Sequence, residues 1–387
     1  MKMKLKKVKN VLTISLSKNE IHNLYHPTSR LGIECFDEVR VTKGFFRKYA
    51  AILLKEWFFL VKPQGALTIE YREDDGITFD FVEQQLWWLL RGNYTITSHV
   101  VKEKKGSVSI RKNHSQLVAG DSIEKWTFGI ITNGERDDWM EEILESIRAL
   151  KIPHYEIIVC GKYKERKEDD FIYIPFNERA ERGWITKKKN LICEKAAFEN
   201  LCIIHDRLVF DKDWFKGMKQ YGNVFEMLGC VQTDRETGVQ AGDWLTHGGP
   251  LRARYKIARL NYEDWDYNIY LSGQLTIMKK SIWKKVLWDE TRYWGEEDVD
   301  FSFRARDFGF IIRFNPFSKV HSITWRHGKL PLKYDSSQGL LPKDMMMRRI
   351  MRFPMQIAHR YPILNAPILF AFKYISKTSV YKYFVYH

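Results

Sequence analysis

Trp126-Thr-Phe-Gly-Ile-Ile-Thr132 is an apolar run closed by the polar turn Asn133-Gly134-Glu135, and the segment after it, 137–150, opens with two aspartates. A short apolar run bounded by a turn reads as a strand buried on both faces, and acids in a first turn favour a helix N-terminus. The pattern then repeats. Residues 155–160 form a second apolar strand closed by Gly161, 171–176 a third, 186–198 a helix, and 201–204 a short, wholly apolar strand. Strands alternating with helices predict an α/β fold whose mostly parallel sheet is covered on both faces. Ligands of such sheets collect beyond the carboxyl ends of the strands.

Working outward, residues 1–118 predict a smaller α/β domain. It has a helix over 45–60, a strand over 66–71 after Val61-Lys-Pro-Gln-Gly65, a second helix over 81–91, and a hairpin of 94–101 with 107–111. The central domain spans 119–335. From 336 to 387 Met, Phe, Ile and Tyr alternate with Arg and Lys around Pro354, Pro362 and Pro367. That composition suits a helical segment packed on the rest, a segment lying in a membrane interface, or both.

At 387 residues and 44% hydrophobic content the chain has ample core for two or three domains and is not a disordered protein. Its five cysteines are scattered without a Cys-x-x-Cys pair, which fits a reducing cytosol. The N-terminal apolar run is too short for a signal peptide, and no run reaches the roughly 20 apolar residues of a spanning helix. The formal net charge is +15. Residues 1–10 carry five lysines and no acid, and residues 343–387 carry a net +7. A nearly neutral centre argues against a nucleic-acid groove. Basic ends predict attraction to an anionic membrane surface, hence a cytoplasmic protein held peripherally on the inner face of the membrane.

The densest chemistry is Trp288-Asp-Glu-Thr-Arg-Tyr-Trp-Gly-Glu-Glu-Asp-Val-Asp-Phe-Ser-Phe-Arg304. Acidic clusters usually face water or cap a helix. Here Val299, Phe301 and Phe303 follow at once, so the carboxylates stand at the mouth of a packed element, where one of them can take a proton from a hydroxyl. Three further segments fall at strand ends or in the loops beyond them. Asn133-Gly134-Glu135 is a turn able to approach a nucleotide, Lys187-Lys188-Lys189-Asn190 brings cations that suit a diphosphate, and the strand at 201–204 delivers His205, Asp206 and Arg207. A Gly-rich loop, Gln240-Ala-Gly-Asp-Trp-Leu-Thr-His-Gly-Gly-Pro250, offers Asp243, Trp244 and His247 to an acceptor, with a structural tryptophan under the loop as the alternative.

In order, Ser272-Gly273, Trp288-Asp289-Glu290, Glu297-Asp298-Val299-Asp300-Phe301 with Arg304, and His321 resemble the GT-A glycosyltransferases, in particular the inverting group called family two. The resemblance covers residues 126 to about 330. It implies a GT-A type sheet, a nucleotide-sugar donor (UDP-type) on its first half, and a saccharide or lipid-linked acceptor on its second. Carried over by position, it makes Asp298 the base and Glu297 its partner. Together with the segments read above from their residues, donor contacts are expected at Asn133, Glu135, Lys188, Asn190, Asp206 and Arg207, and acceptor contacts at Asp243, Trp244, Gly273, Trp294 and Glu296. Asp206 with His321 and His205 would hold Mn2+ or Mg2+ against the diphosphate. The family's Asp-x-Asp triplet is here His205-Asp206-Arg207, and arginine ligates no metal. Arg207 replacing part of the metal's charge, and a non-catalytic nucleotide- or sugar-binding protein with a decayed metal site, both stay open. Residues from about 40 to 111, through the order at 55–71, more weakly resemble the later half of a class I methyltransferase without that family's Gly-rich cofactor turn, which implies that 1–118 is a degenerate, non-catalytic relative.

Overall fold

The computed structural model describes residues 4–7, 10–177, 184–240, 242–247, 257–293, 295–324, 332–333 and 367. The segment 336–387 therefore lies, but for one residue, outside the described part, and so does Trp294.

The N-terminal sheet has six strands in the order Lys4–Lys7, Asn10–Ser15, Phe36–Lys43, Val61–Arg72, Lys105–Lys112, Tyr94–Lys102. The second, third and fourth of these run parallel, and the last two form the expected antiparallel hairpin. Its two-residue turn, Glu103-Lys104, takes positive φ at both positions (45° and 64°), the geometry that matches the twist of paired strands. The expected helix over 45–60 begins only at Ala50, after a 3-10 turn at Arg47–Tyr49. It ends at Leu60 without a glycine because the buried Lys112 ammonium donates to the carbonyls of Phe58 and Val61 (3.1 and 3.0 Å) and pairs with Glu34 at 2.9 Å. A cation there also favours the negative end of the helix.

Ala50–Leu60 is buried at every position but Phe59. A helix apolar all round lies inside a protein, and this one is sandwiched between the N-terminal sheet and the central one. A single hydrophobic cluster runs from Leu12 and Val39 through Trp57 to Ile203, Met278 and Phe314. Charges cross the same boundary. Arg313 pairs with Glu56, which also accepts from His26 Nδ1 at 2.7 Å and Thr28 Oγ1 at 2.9 Å, while Lys55 pairs with Glu226 at 2.6 Å. The His26 ring stacks on Tyr221 at 4.3 Å, and burial holds its pKa well below the usual histidine range, so it serves there as a neutral ring.

The central sheet has eight strands in the order Leu208–Phe210, Ile312–Ser322, Met227–Asp234, Leu275–Lys279, Asn200–His205, Lys125–Thr132, His154–Gly161, Phe171–Pro175. The last four are parallel, as are the second and third, whereas Leu275–Lys279 runs against both of its neighbours and Leu208–Phe210 against Ile312–Ser322. This is the mixed, mostly parallel α/β sheet the alternation predicts. A small third sheet joins Ile269–Tyr270, Leu245–His247, Ile257–Arg259 and Leu332–Lys333. The helix Ile185–Lys195 comes unusually close to the central sheet at Gly129, where a Cβ would lie 2.4 Å from Ile192 Cγ2. That contact fixes how far the helix's lysines reach.

The Glu56–Arg313 pair is buried on both sides (2% and 4% exposed), so removing one partner strands the other charge. Arg313→Met is expected to cost about 3–5 kcal/mol, read as a lowered denaturant midpoint. Glu56→Leu combined with Arg313→Met should recover most of the loss. Equal stability of Arg313→Met and the wild type would show that the pair does not join the two sheets.

Candidate active site

Strand register brings the chemistry to one edge. His205 pairs with Ile131, Ile204 pairs with Leu275, and the His205 amide donates to the Gln274 carbonyl at 3.1 Å. The ends of Lys125–Thr132 and Asn200–His205 therefore meet the start of Leu275–Lys279, with the Ser272-Gly273 turn beside them. This is the carboxyl edge at which the α/β pattern places a ligand.

The acidic helix Glu297–Asp307 begins over that edge. Glu296, at φ 57°, turns the chain into it and accepts the Asp300 amide at 2.9 Å. Asp298 accepts the Gly273 amide at Oδ2 (2.7 Å) and the Val299 amide at Oδ1 (2.8 Å). A Cβ on Gly273 would sit 2.8 Å from Glu297 Oε1 and 3.2 Å from Asp298 Oδ2, so only glycine lets both carboxylates close on this turn. Beneath them lies Lys189, fully buried, its ammonium donating to the Gly273 carbonyl at 3.0 Å and facing Glu297 Oε1 at 3.4 Å. Burial of its carboxyl group, then the Glu297 charge, push Asp298 up to about 6, with Lys189 pulling the other way. A carboxylate so tuned is half-ionised at about pH 6 and mostly ionised at neutrality, so it is able to accept a proton. Asp300 and Arg304 do other work: Arg304 pairs with Asp300 at 2.8 Å and donates to the carbonyls of Val286 and Leu287, locking the helix to the preceding loop.

On the other side of the edge, Asp206 is buried and accepts from Thr132 Oγ1 at Oδ2 (2.8 Å) and from Arg136 Nη1 at Oδ1 (2.5 Å). The Thr132 hydroxyl in turn accepts the Gly134 amide at 3.1 Å, and Asn133 Oδ1 accepts the Glu135 amide at 3.2 Å. The Asn133-Gly134-Glu135 turn is thus pinned to Asp206. Lys188, also buried, donates to the Thr132 carbonyl at 2.9 Å. Two adjacent lysines on one helix hence reach the two halves of the edge, Lys188 the Asp206 side and Lys189 the Asp298 side.

Several expected contacts take other places. Asn190 spends its amide on the Trp288 carbonyl, Glu290 Oε1, the Trp283 indole and the Trp288 amide, all within 3.0 Å, so it positions the 288–290 loop instead of facing a donor. Asp243 is buried, bound to the Gln232 amide (2.8 Å), Tyr262 OH (2.9 Å) and Gln240, and burial pushes it up to about 6. Trp244 is a core residue, 3% exposed, with its indole donating to the Asp264 carbonyl and its ring 5.1 Å from Phe314. Neither has a face for an acceptor. His321 turns Nδ1 to Thr233 Oγ1 (2.9 Å) and Nε2 to Asp211 Oδ2 (3.4 Å). Among the described residues no three His, Cys, Asp or Glu side chains gather closely enough to share a metal. With a guanidinium on one Asp206 oxygen and a hydroxyl on the other, His205, Asp206 and His321 do not fit the Mn2+ or Mg2+ that the resemblance implies.

The sequence pattern gives no role to Arg136 or Thr132, and it offers Lys189 to a diphosphate where the structure pairs it with Gly273 and Glu297. Lys189 has a signal: with Ile185 and Ile192 it lies at i, i+4 and i+7 on the apolar face of its helix, where a cation needs a buried partner. Arg136 has none, since its reach to Asp206 from a loop is purely tertiary.

No family profile matches the chain, and no curated protein matches it. Among solved structures it is similar to three crystal structures of S. aureus TarS. To TarS 1–349 the identity is 12% and the TM-score 0.34, covering 52% of this chain and 59% of that one. To TarS the values are 13% and 0.37, covering 51% and 37%. To TarS 1–349 in complex with UDP they are 12% and 0.36, covering 50% and 60%. The matches thus span less than two thirds of each TarS chain, and at such scores they bear on neither substrate nor chemistry.

Gly273→Ala places a methyl group against two carboxylates. Overpacking of this kind costs about 1–3 kcal/mol, and a matching fall in the denaturant midpoint is expected. Wild-type stability in this variant would mean that the acidic helix does not close on the turn as described.

Proposed function

We propose that the protein is an inverting glycosyltransferase of the GT-A type, moving a sugar from a nucleotide-sugar donor to a hydroxyl of a saccharide or lipid-linked acceptor in surface-polysaccharide synthesis. The observation that carries this reading is Asp298, tuned to about 6 and held by Gly273 at the carboxyl edge of the sheet, beside the strand end that carries Asp206. The acceptor oxygen attacks the anomeric carbon from the face opposite the nucleotide, its proton passes to Asp298, and the bond to the diphosphate breaks with its electron pair leaving on the phosphate oxygen. Glu297 and Lys189 hold Asp298 in place. A UDP-type nucleotide occupies the Thr132–Lys188 side, with Asn133, Glu135 and Arg207 around it. Gly273 and Glu296 border the acceptor.

Among the described residues no helix is long and apolar enough to cross a membrane. The basic, aromatic-rich segment 336–387 is assigned to an anionic membrane surface on the cytoplasmic side, where a lipid-linked acceptor would be met.

A screen of nucleotide sugars for hydrolysis and transfer tests the reading. Turnover of one donor is expected, with Asp298→Asn losing at least about a thousandfold in kcat while the nucleotide still binds. Because Asp298 acts as a base, kcat/KM should fall tenfold per pH unit below about 6 and level off above it. Lys189→Met should move that limb to higher pH, since the ammonium favours the ionised form. Donor binding without turnover would leave a binding protein, and a pH profile unchanged in Asp298→Asn would refute the base.

A further inference from the structure

We infer that this chain neutralises the donor's diphosphate with the Arg136 guanidinium, assisted by Lys188, where a divalent cation would otherwise sit. The inference rests on the glycosyltransferase reading above and concerns how its donor half works.

The donor set at Asp206 is the starting point. Its Oδ1 lies 2.5 Å from Arg136 Nη1, and its Oδ2 is 2.8 Å from the Thr132 hydroxyl. A divalent ion bound to Asp206 would share the carboxylate with a fixed unit positive charge, and among the described residues no three His, Cys, Asp or Glu side chains gather around it. His321 faces Thr233 and Asp211. The residue after Asp206 is Arg207, which offers no ligand.

Arg136 is instead built as an anion donor. It caps the helix Asp137–Arg148, its carbonyl accepting the Trp139 and Met140 amides, so its backbone is fixed. Its guanidinium carbon lies 5.4 Å from the centre of the Trp139 ring, and the side chain is 24% exposed. Nη1 is spent on Asp206. Among the described residues Nε and Nη2 make no hydrogen bond, which leaves donors on the exposed part of the fork for phosphate oxygens. Asp206 thus becomes a positioning residue that aims the guanidinium. Lys188, reaching the carbonyl of the same Thr132 at 2.9 Å, brings a second cationic side chain to this side. As the bond between the anomeric carbon and the diphosphate breaks, the electron pair goes to the phosphate oxygen, and these N–H groups meet the charge that develops. The acceptor's proton goes to Asp298, so the step needs no further reactant.

The test is calorimetric titration of UDP, GDP, CDP and ADP into the full chain, once in EDTA and once in Mn2+. At least one nucleotide should bind with a Kd that agrees within about threefold in the two buffers. Arg136→Gln should weaken it about tenfold or more in both, as loss of a charge-assisted hydrogen bond does. Arg136→Lys, which keeps the charge and loses the fork, should fall between. Binding that needs Mn2+, or a folded Arg136→Gln that binds like the wild type, would overturn the inference and leave the glycosyltransferase reading standing. Failure of every nucleotide in both buffers would overturn the donor reading itself, and this inference with it.

Discussion

A fully buried ammonium, Lys189, is the constraint on which the site depends. Taking an ammonium out of water costs several kcal/mol unless it is paired and hydrogen-bonded. Here the compensation comes from the Gly273 carbonyl and the Glu297 carboxylate, which belong to two segments 24 residues apart in the chain. The lysine thereby ties the central sheet's edge to the acidic helix. Asp298 is then held between the Gly273 and Val299 amides, and its proton affinity follows from that enclosure. Gly129 is the remote condition for all of this, because the helix that carries Lys189 reaches the edge only by lying closer to the sheet than a side chain would allow.

The same logic extends to the N-terminal sheet. Helix Ala50–Leu60 has no solvent face, and its two charged residues are answered across the boundary by Glu226 and Arg313. Arg313 lies on Ile312–Ser322, which pairs in parallel with Met227–Asp234, the neighbour of Leu275–Lys279. The N-terminal sheet therefore buttresses the strand group from which the candidate site's edge projects. Its contribution is mechanical support of that half of the sheet, whatever else its open face binds.

The first half of the central sheet is legible in the sequence because its strands are buried on both faces and its helices open with acids or follow turns. The strand Ile312–Ser322 is much harder to read. Asn315, Pro316, Ser318 and Lys319 spell a loop, yet Asn315 Nδ2 donates to Ser318 Oγ at 2.9 Å inside a register shift opposite Cys230 and Val231, and the strand carries on. Proline is tolerated at such a bulge. Of the site, Asp298, Glu297 and Gly273 are picked out by the order of two short motifs, although Gly273 stands 24 residues before Glu297. Asn190, Asp243 and Trp244 mislead for one reason: a polar or aromatic residue in a Gly-rich or basic stretch looks available, and only tertiary packing shows it spent.

The most direct measurement is a crystal structure of the full chain soaked with the nucleoside diphosphate that binds most tightly. The account predicts density for the diphosphate at the carboxyl edge, within hydrogen-bond reach of Arg136 or Lys188, its terminal phosphate directed toward Gly273 and Asp298. A nucleotide found instead in the N-terminal cavity of about 780 Å³ lined by Lys43, Phe45, Arg72 and Lys105 would contradict it.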